Sequence, residues 1–119
     1  MTTEGRMKVY ISGRMAGLPA GRVQKYFAEA QEYLKTEGFI VMNPDCLRMC
    51  PGFDYDDYMS IDLAMLERCD AIYMLEGWEE SGGAKKELRF ALEHDKKVML
   101  ERQQKELVKD EGQIDFLRK

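Results

Sequence analysis

Two carboxylates interrupt apolar patterns in this 119-residue chain. Asp62 falls three residues after Met59 and four before Leu66, where helical spacing asks for an apolar side chain. Glu87 stands in the same relation to Ala84 and Ala91. An acid in an apolar setting costs on the order of several kcal/mol unless it is paired or hydrogen-bonded. Tilting toward solvent or capping a neighbouring loop would avoid that cost, and position alone leaves this open. Two such residues bordering one crevice point instead to perturbed acids, the equipment of acid–base and nucleophilic chemistry.

The turn Ser81-Gly82-Gly83 leads into the stretch that carries Glu87. Glycines there let backbone approach a ligand, and the amides of a helix's first turn favour an anion. Gly-Gly before a helix is also a common tight connection. The Lys-Ser/Thr ending of a P-loop is missing, which disfavours nucleoside-triphosphate hydrolysis. Arg14 offers a bidentate fork for phosphate, or is plain surface. Trp78 is either a base-stacking platform or a lid over the core. Tyr10 lies between Val9 and Ile11 and reads as core. Asp54, Asp56 and Asp57 suit a helix start without any cation, His94 suits a helix end, and Asp70 a structural role at a strand start.

These residues need elements to position them. Met7–Ser12, Phe39–Met42, Ala71–Leu75 and Val98–Leu100 read as short buried strands. Between them run helical stripes: Val23, Phe27, Ala30 and Leu34, ending at Gly38; Tyr55, Met59, Leu63 and Leu66; and Ala84, Leu88, Ala91 and Leu92. Residues 45–54 read as irregular, and the charged tail 101–119 as a solvated or frayed helix. Alternating strand and helix predict a flavodoxin- or Rossmann-like three-layer α/β sandwich, with a parallel sheet of four to five strands and helices on both faces. In such sheets ligands bind beyond the carboxyl ends of the strands. Ser12–Gly21, Asn43–Asp54 and Glu76–Gly83 are able to reach that crevice, and chemistry is expected there or on the helix turns that border them.

Composition narrows the classes. The length fits one domain over residues 1–119. With 22 acidic against 18 basic residues and a net charge of −4, no polymeric nucleic acid is expected as partner. No apolar run approaches the roughly 18 residues of a membrane span, and residues 1–6 lack a signal peptide's apolar stretch, so a cytoplasmic protein is expected. The three cysteines, Cys46, Cys50 and Cys69, read as reduced thiols. With one histidine and no CxxC pair, a zinc set is hard to assemble, and no metal or cofactor is expected.

Three stretches together resemble the nucleoside 2-deoxyribosyltransferase-like proteins, more narrowly their small phage and bacterial branch. They are Tyr58-Met59-Ser60-Ile61-Asp62-Leu63, Leu66-Glu67-Arg68-Cys69-Asp70-Ala71, and Gly77-Trp78-Glu79-Glu80-Ser81-Gly82-Gly83-Ala84 with Glu87. Tyr10-Ile11-Ser12-Gly13-Arg14-Met15-Ala16-Gly17 is similar to that branch's opening strand and glycine loop, and Asn43-Pro44 to the end of its second strand. The likeness spans about residues 7–100. It implies N-glycosidic cleavage or deoxyribosyl transfer, with Glu87 attacking the anomeric carbon and Asp62 handling the sugar or leaving base. It implies substrate contacts from Tyr10, Ser12, Gly13, Arg14, Trp78, Ser81, Gly82 and Gly83. Serine at position 81, where nucleoside-specific relatives tend to carry aspartate, together with Arg14 favours 2′-deoxyribonucleoside 5′-monophosphates over nucleosides.

Relatives complete the pocket with C-terminal residues or a partner subunit. With 19 residues after the fourth strand, a homodimer or higher homo-oligomer is expected. Parallel α/β folds host many functions, so a non-catalytic nucleotide-binding or interaction protein is the alternative. A phosphoacceptor domain fits less well, because Ser12-Gly13-Arg14 stands where its acidic pair should follow the first strand.

Overall fold

The computed structural model describes residues 5–49 and 51–103. Its elements follow the expected alternation: β1 (Lys8–Ser12), α1 (Ala20–Thr36), β2 (Ile40–Met42), a 3-10 helix (Pro44–Met49), α2 (Tyr55–Glu67), β3 (Ala71–Met74), a 3-10 turn (Trp78–Glu80), α3 (Gly82–Glu93) and β4 (Lys97–Leu100). The tail beyond residue 103 and Cys50 lie outside the described residues.

The four strands form one parallel sheet in the order β2-β1-β3-β4. Tyr10 pairs with Met42 on one side and with Ile72 on the other, and Ser12 pairs with Met74. From β1 the chain first steps outward to β2, then returns past β1 to β3. That reversal places the switch point, and so the crevice, at the carboxyl ends of β1 and β3.

Strand alternation assigns the two faces. Val9 and Ile11 pack with Phe27, Leu34 and Tyr73 under α1. Tyr10 turns the other way and packs with Leu66, Ile72, Met74 and Ala91 under α2 and α3. Both faces are therefore covered, the three-layer arrangement expected from the sequence. Each fully buried Leu, Ile or Phe contributes roughly 1.5–3 kcal/mol.

Local signals set the helix ends. Gly38 terminates α1 at φ +95°, a conformation that glycine adopts without a Cβ clash. Asp54 caps α2, exchanging hydrogen bonds with Asp57 in a capping box, so this acidic run needs no cation. His94 caps α3, with Nδ1 2.8 Å from the Phe90 carbonyl and its ring stacked on Phe90. Asp70 accepts the Lys8 amide at 2.9 Å and ties two strand starts together. The stripe of α3 needs correction: Leu92 is 59% exposed, and Glu87 occupies the buried face with Ala84 and Ala91. Residues 44–49, expected to be irregular, form the 3-10 helix. No helix among the described residues is long and apolar enough to cross a membrane.

Candidate active site

β1 and α3 meet around one carboxyl group. Tyr10 and Ser12 are two residues apart on β1, so both side chains rise from the same face of the sheet. Glu87 comes down from the buried face of α3 and is 5% exposed. The Tyr10 hydroxyl donates to Glu87 Oε2 at 2.6 Å, and the Ser12 hydroxyl donates to Glu87 Oε1 at 2.6 Å. Short hydroxyl bonds on both oxygens fix the carboxyl plane and favour its charged form.

Two effects oppose that preference. Burial pushes the Glu87 carboxyl up, and the Asp62 carboxyl beside it raises it further, to about 7. Asp62, reached from α2, is itself pushed up to about 6 by burial, with Glu87 as a hydrogen-bonding neighbour. Burial outweighs the hydroxyl donors, so near neutrality the two acids hold about one proton between them. Asp62 Oδ1 is buried and has no hydrogen-bond partner among the described residues. Such an orphan is unusual in a folded protein and marks Asp62 as a group that the fold itself does not satisfy.

Both acids line a cavity of about 630 Å³. This is room for a nucleotide-sized molecule. All three expected segments contribute to its wall: Gly13–Ala16 after β1, Pro44 and Leu47 after β2, and Glu80–Gly83 before α3. Gly13 is dictated by packing, because a Cβ there would come within 2.8 Å of Leu75 Cδ1. At the α3 end, the Ser81 side chain accepts the Ala84 amide at 3.0 Å and caps the helix. The amides of Gly82 and Gly83 precede the helix's own bonding and are free for an anion. A Cβ on Gly83 would meet Met59 and the Tyr55 hydroxyl at 3.4 and 3.6 Å, ordinary contact distances, so α2 packs directly over this turn.

Arg14 is the cavity's cation among the described residues. Its Nε donates to the Ala16 carbonyl at 3.2 Å, and its Nη1 lies 3.4 Å from Glu80 Oε2. Gly13, Arg14, Ser81, Gly82, Gly83, Asp62 and Glu87 are thus brought together on one wall. Three other expected contact residues are placed differently. Tyr10 and Ser12 are 0% and 1% exposed and lie beneath Glu87, so they bear on a ligand only through that carboxyl. Trp78 packs partly buried against the apolar core under α2 and α3 and is not among the residues lining this cavity.

Sequence reasoning singled out Asp62 on α2 but missed the rest of the wall that this helix supplies. Tyr55, Tyr58, Met59 and Asp62 follow one another at helical spacing along a single face, and all four line the cavity. Aromatics in register with an out-of-place acid were the available signal. Leu47 and Glu80 carried no such signal. Among the described residues no group of three or more His, Cys, Asp or Glu side chains is arranged to hold a metal ion. Cys46 is exposed and Cys69 is buried, both as free thiols.

The model of one protein family, described as a domain of unknown function, matches residues 7–100, most of the chain and every residue of the site. No curated protein matches the chain.

Proposed function

Because the chain belongs to the DUF4406 family, whose description names no activity, we propose its reaction from the site itself: cleavage of the N-glycosidic bond of 2′-deoxyribonucleoside 5′-monophosphates. One observation carries this reading. A buried glutamate, held by two 2.6 Å hydroxyl bonds, stands beside a second acid on the wall of a nucleotide-sized cavity. The resemblance of the same residues to the nucleoside 2-deoxyribosyltransferase-like proteins supports it.

The pair holds its proton mainly on Glu87, the more strongly raised acid, and the reaction begins from the minor tautomer with the proton on Asp62 and the charge on Glu87. As the C1′–N bond breaks, its electron pair goes to the base nitrogen, which takes the proton from Asp62. Positive charge grows on the sugar, and a Glu87 oxygen bonds to C1′. Lack of a 2′-hydroxyl makes that sugar easier to ionise. Water then attacks C1′, gives its proton to Asp62 and releases Glu87; a second base in place of water gives transfer. Ser12 and Tyr10 hold the carboxyl in line and stabilise its charge between steps. Ser81, the Gly82 and Gly83 amides and Arg14 take the 5′-phosphate, and Tyr55, Tyr58 and Met59 offer a face for the base. Neither metal nor cofactor is required. The working form is a cytoplasmic homodimer or higher homo-oligomer whose second copy completes the wall.

The test is incubation with a panel of deoxyribonucleoside monophosphates, with free base followed by chromatography. Wild type should release base, and Glu87→Ala should lose at least about a thousandfold in rate. No release by wild type from any of them, or equal release by the variant, sinks the reading. The raised Glu87 favours one rival, a nucleotide-binding protein without turnover, since a protonated carboxyl is no nucleophile. Calorimetry would then report tight binding of monophosphates that remain intact.

A further inference from the structure

The described cavity wall carries three carboxyls, Asp62, Glu80 and Glu87, against the single guanidinium of Arg14. That is an unfavourable balance for a ligand bearing a phosphate dianion, and one of the three acids is spent directly on the cation. Glu80 Oε2 lies 3.4 Å from Arg14 Nη1. The proposed chemistry employs Asp62 and Glu87 and leaves Glu80 with no task.

We propose that Glu80 is a built-in competitor for the 5′-phosphate: it occupies Arg14 in the empty site and must swing away when a phosphate arrives. The idea rests on the phosphate assignment made above and adds a determinant of its affinity. The two partners differ in how firmly they are held. Arg14 is tied to its own loop, its Nε donating to the Ala16 carbonyl at 3.2 Å, and its side chain is 37% exposed. Glu80 ends a 3-10 turn of three residues, and its side chain is 71% exposed. An exposed pair of this kind contributes about 0–1 kcal/mol, so displacing it is cheap. The guanidinium stays and the carboxylate leaves.

Glu80 directly precedes Ser81, the cap of the anion-facing turn, so its carboxylate holds Arg14 at the place where a phosphate would take it. It therefore weakens binding of every ligand that keeps the phosphate. A sugar phosphate left behind after base release is one of them, and its departure is hastened.

The probes are inorganic phosphate and 2-deoxyribose 5-phosphate, which carry no base and undergo no glycosidic cleavage. Calorimetry would compare the full-length wild type with Glu80→Gln, Arg14→Gln and the double variant. Glu80→Gln should tighten 2-deoxyribose 5-phosphate roughly three- to tenfold at low salt, and the gain should shrink as salt is raised. Arg14→Gln should weaken the same ligand, and in its background the Glu80→Gln gain should fall below about twofold. Unchanged or weaker binding by Glu80→Gln, with Arg14→Gln still damaging, overturns the competitor and leaves the phosphate site standing. Indifference to Arg14→Gln overturns both. If the affinity pattern holds while wild type cleaves no nucleotide, the competitor stands and the proposed reaction falls.

Discussion

Two glutamates are buried to nearly the same degree in this fold, Glu87 at 5% and Glu101 at 6% exposure, and only one of them lines the cavity. Glu101 follows β4 and is tied from two directions. Its Oε1 accepts the Tyr26 hydroxyl of α1 at 3.1 Å and the Glu76 amide at 2.8 Å. Burial and then Glu101 push the Tyr26 hydroxyl up to about 12, so that donor keeps its proton at any physiological pH. Glu87 also takes two donors, but both belong to β1, and a second acid stands beside it. One carboxyl joins elements; the other is supported from below and opens on a ligand space. Burial of an acid does not make a site. What it faces does.

The widest separation between the two should come from alanine. Glu101→Ala leaves the Glu76 amide and the Tyr26 hydroxyl without this acceptor, and should lower stability by about 2–4 kcal/mol in urea titration. Its rate of base release per folded molecule should stay within about threefold of wild type. Glu87→Ala should do the reverse, losing rate on the order of 10³–10⁴-fold; it too leaves two hydroxyl donors without this acceptor, but it also removes a buried charge at pH 8, so its loss of stability should be the smaller. If Glu101→Ala folds normally and loses activity as Glu87→Ala does, the contrast is broken.

The sequence made one of these glutamates visible and hid the other. Glu87 breaks an apolar stripe inside a strong helical pattern, as does Asp62, and that mismatch is legible without coordinates. Glu101 opens a run of alternating charges and reads as solvated tail, because its burial depends on Tyr26 and on the Glu76 loop, both 25 or more positions away. Tyr10 and Ser12 fall between these cases. Alternation along β1 fixes which face they share, yet nothing local says that α3, over 70 residues later, lowers a carboxyl onto them. The strands, the helices and the three crevice segments were readable for the opposite reason: periodicity and glycine stops are local properties. Leu92 misled because a stripe drawn through Ala84, Leu88 and Ala91 runs out before the helix does.

The proton shared by Glu87 and Asp62 gives a second, smaller separation. Both acids are raised in the fold, to about 7 and about 6, from ordinary values of 4.5 and 3.8. The folded state thus binds more protons than the unfolded chain in this interval. The pair's contribution is fully present below about pH 4 and drains away as pH climbs through about 6 and 7. Glu87→Gln removes the larger share, so the variant should gain on the order of 1–3 kcal/mol over wild type between pH 5 and pH 8 in urea midpoints. Base release by wild type should follow a bell with limbs near 6 and 7, since the reaction needs one charge and one proton on the pair. A flat wild-type stability profile across this range would mean that the acids are not held in a dry site together.

The smallest effect is the most diagnostic of how Glu87 is supported. Ser12→Ala deletes one of two hydroxyl donors and leaves the Tyr10 bond to orient the carboxyl. Loss of a donor to the charged form must raise the Glu87 carboxyl further, so the alkaline limb of the rate profile, near 7, should move to higher pH. The rate at its optimum should fall by about tenfold, the equivalent of one charge-assisted hydrogen bond. Tyr26→Phe is the matching change beside Glu101, since it also deletes a single hydroxyl donor. It should leave the pH profile where it was, because its carboxyl partner does not reach the cavity. A Ser12→Ala enzyme that slows without moving its alkaline limb would make Ser12 a packing residue, and the charge on Glu87 would then need another source of support.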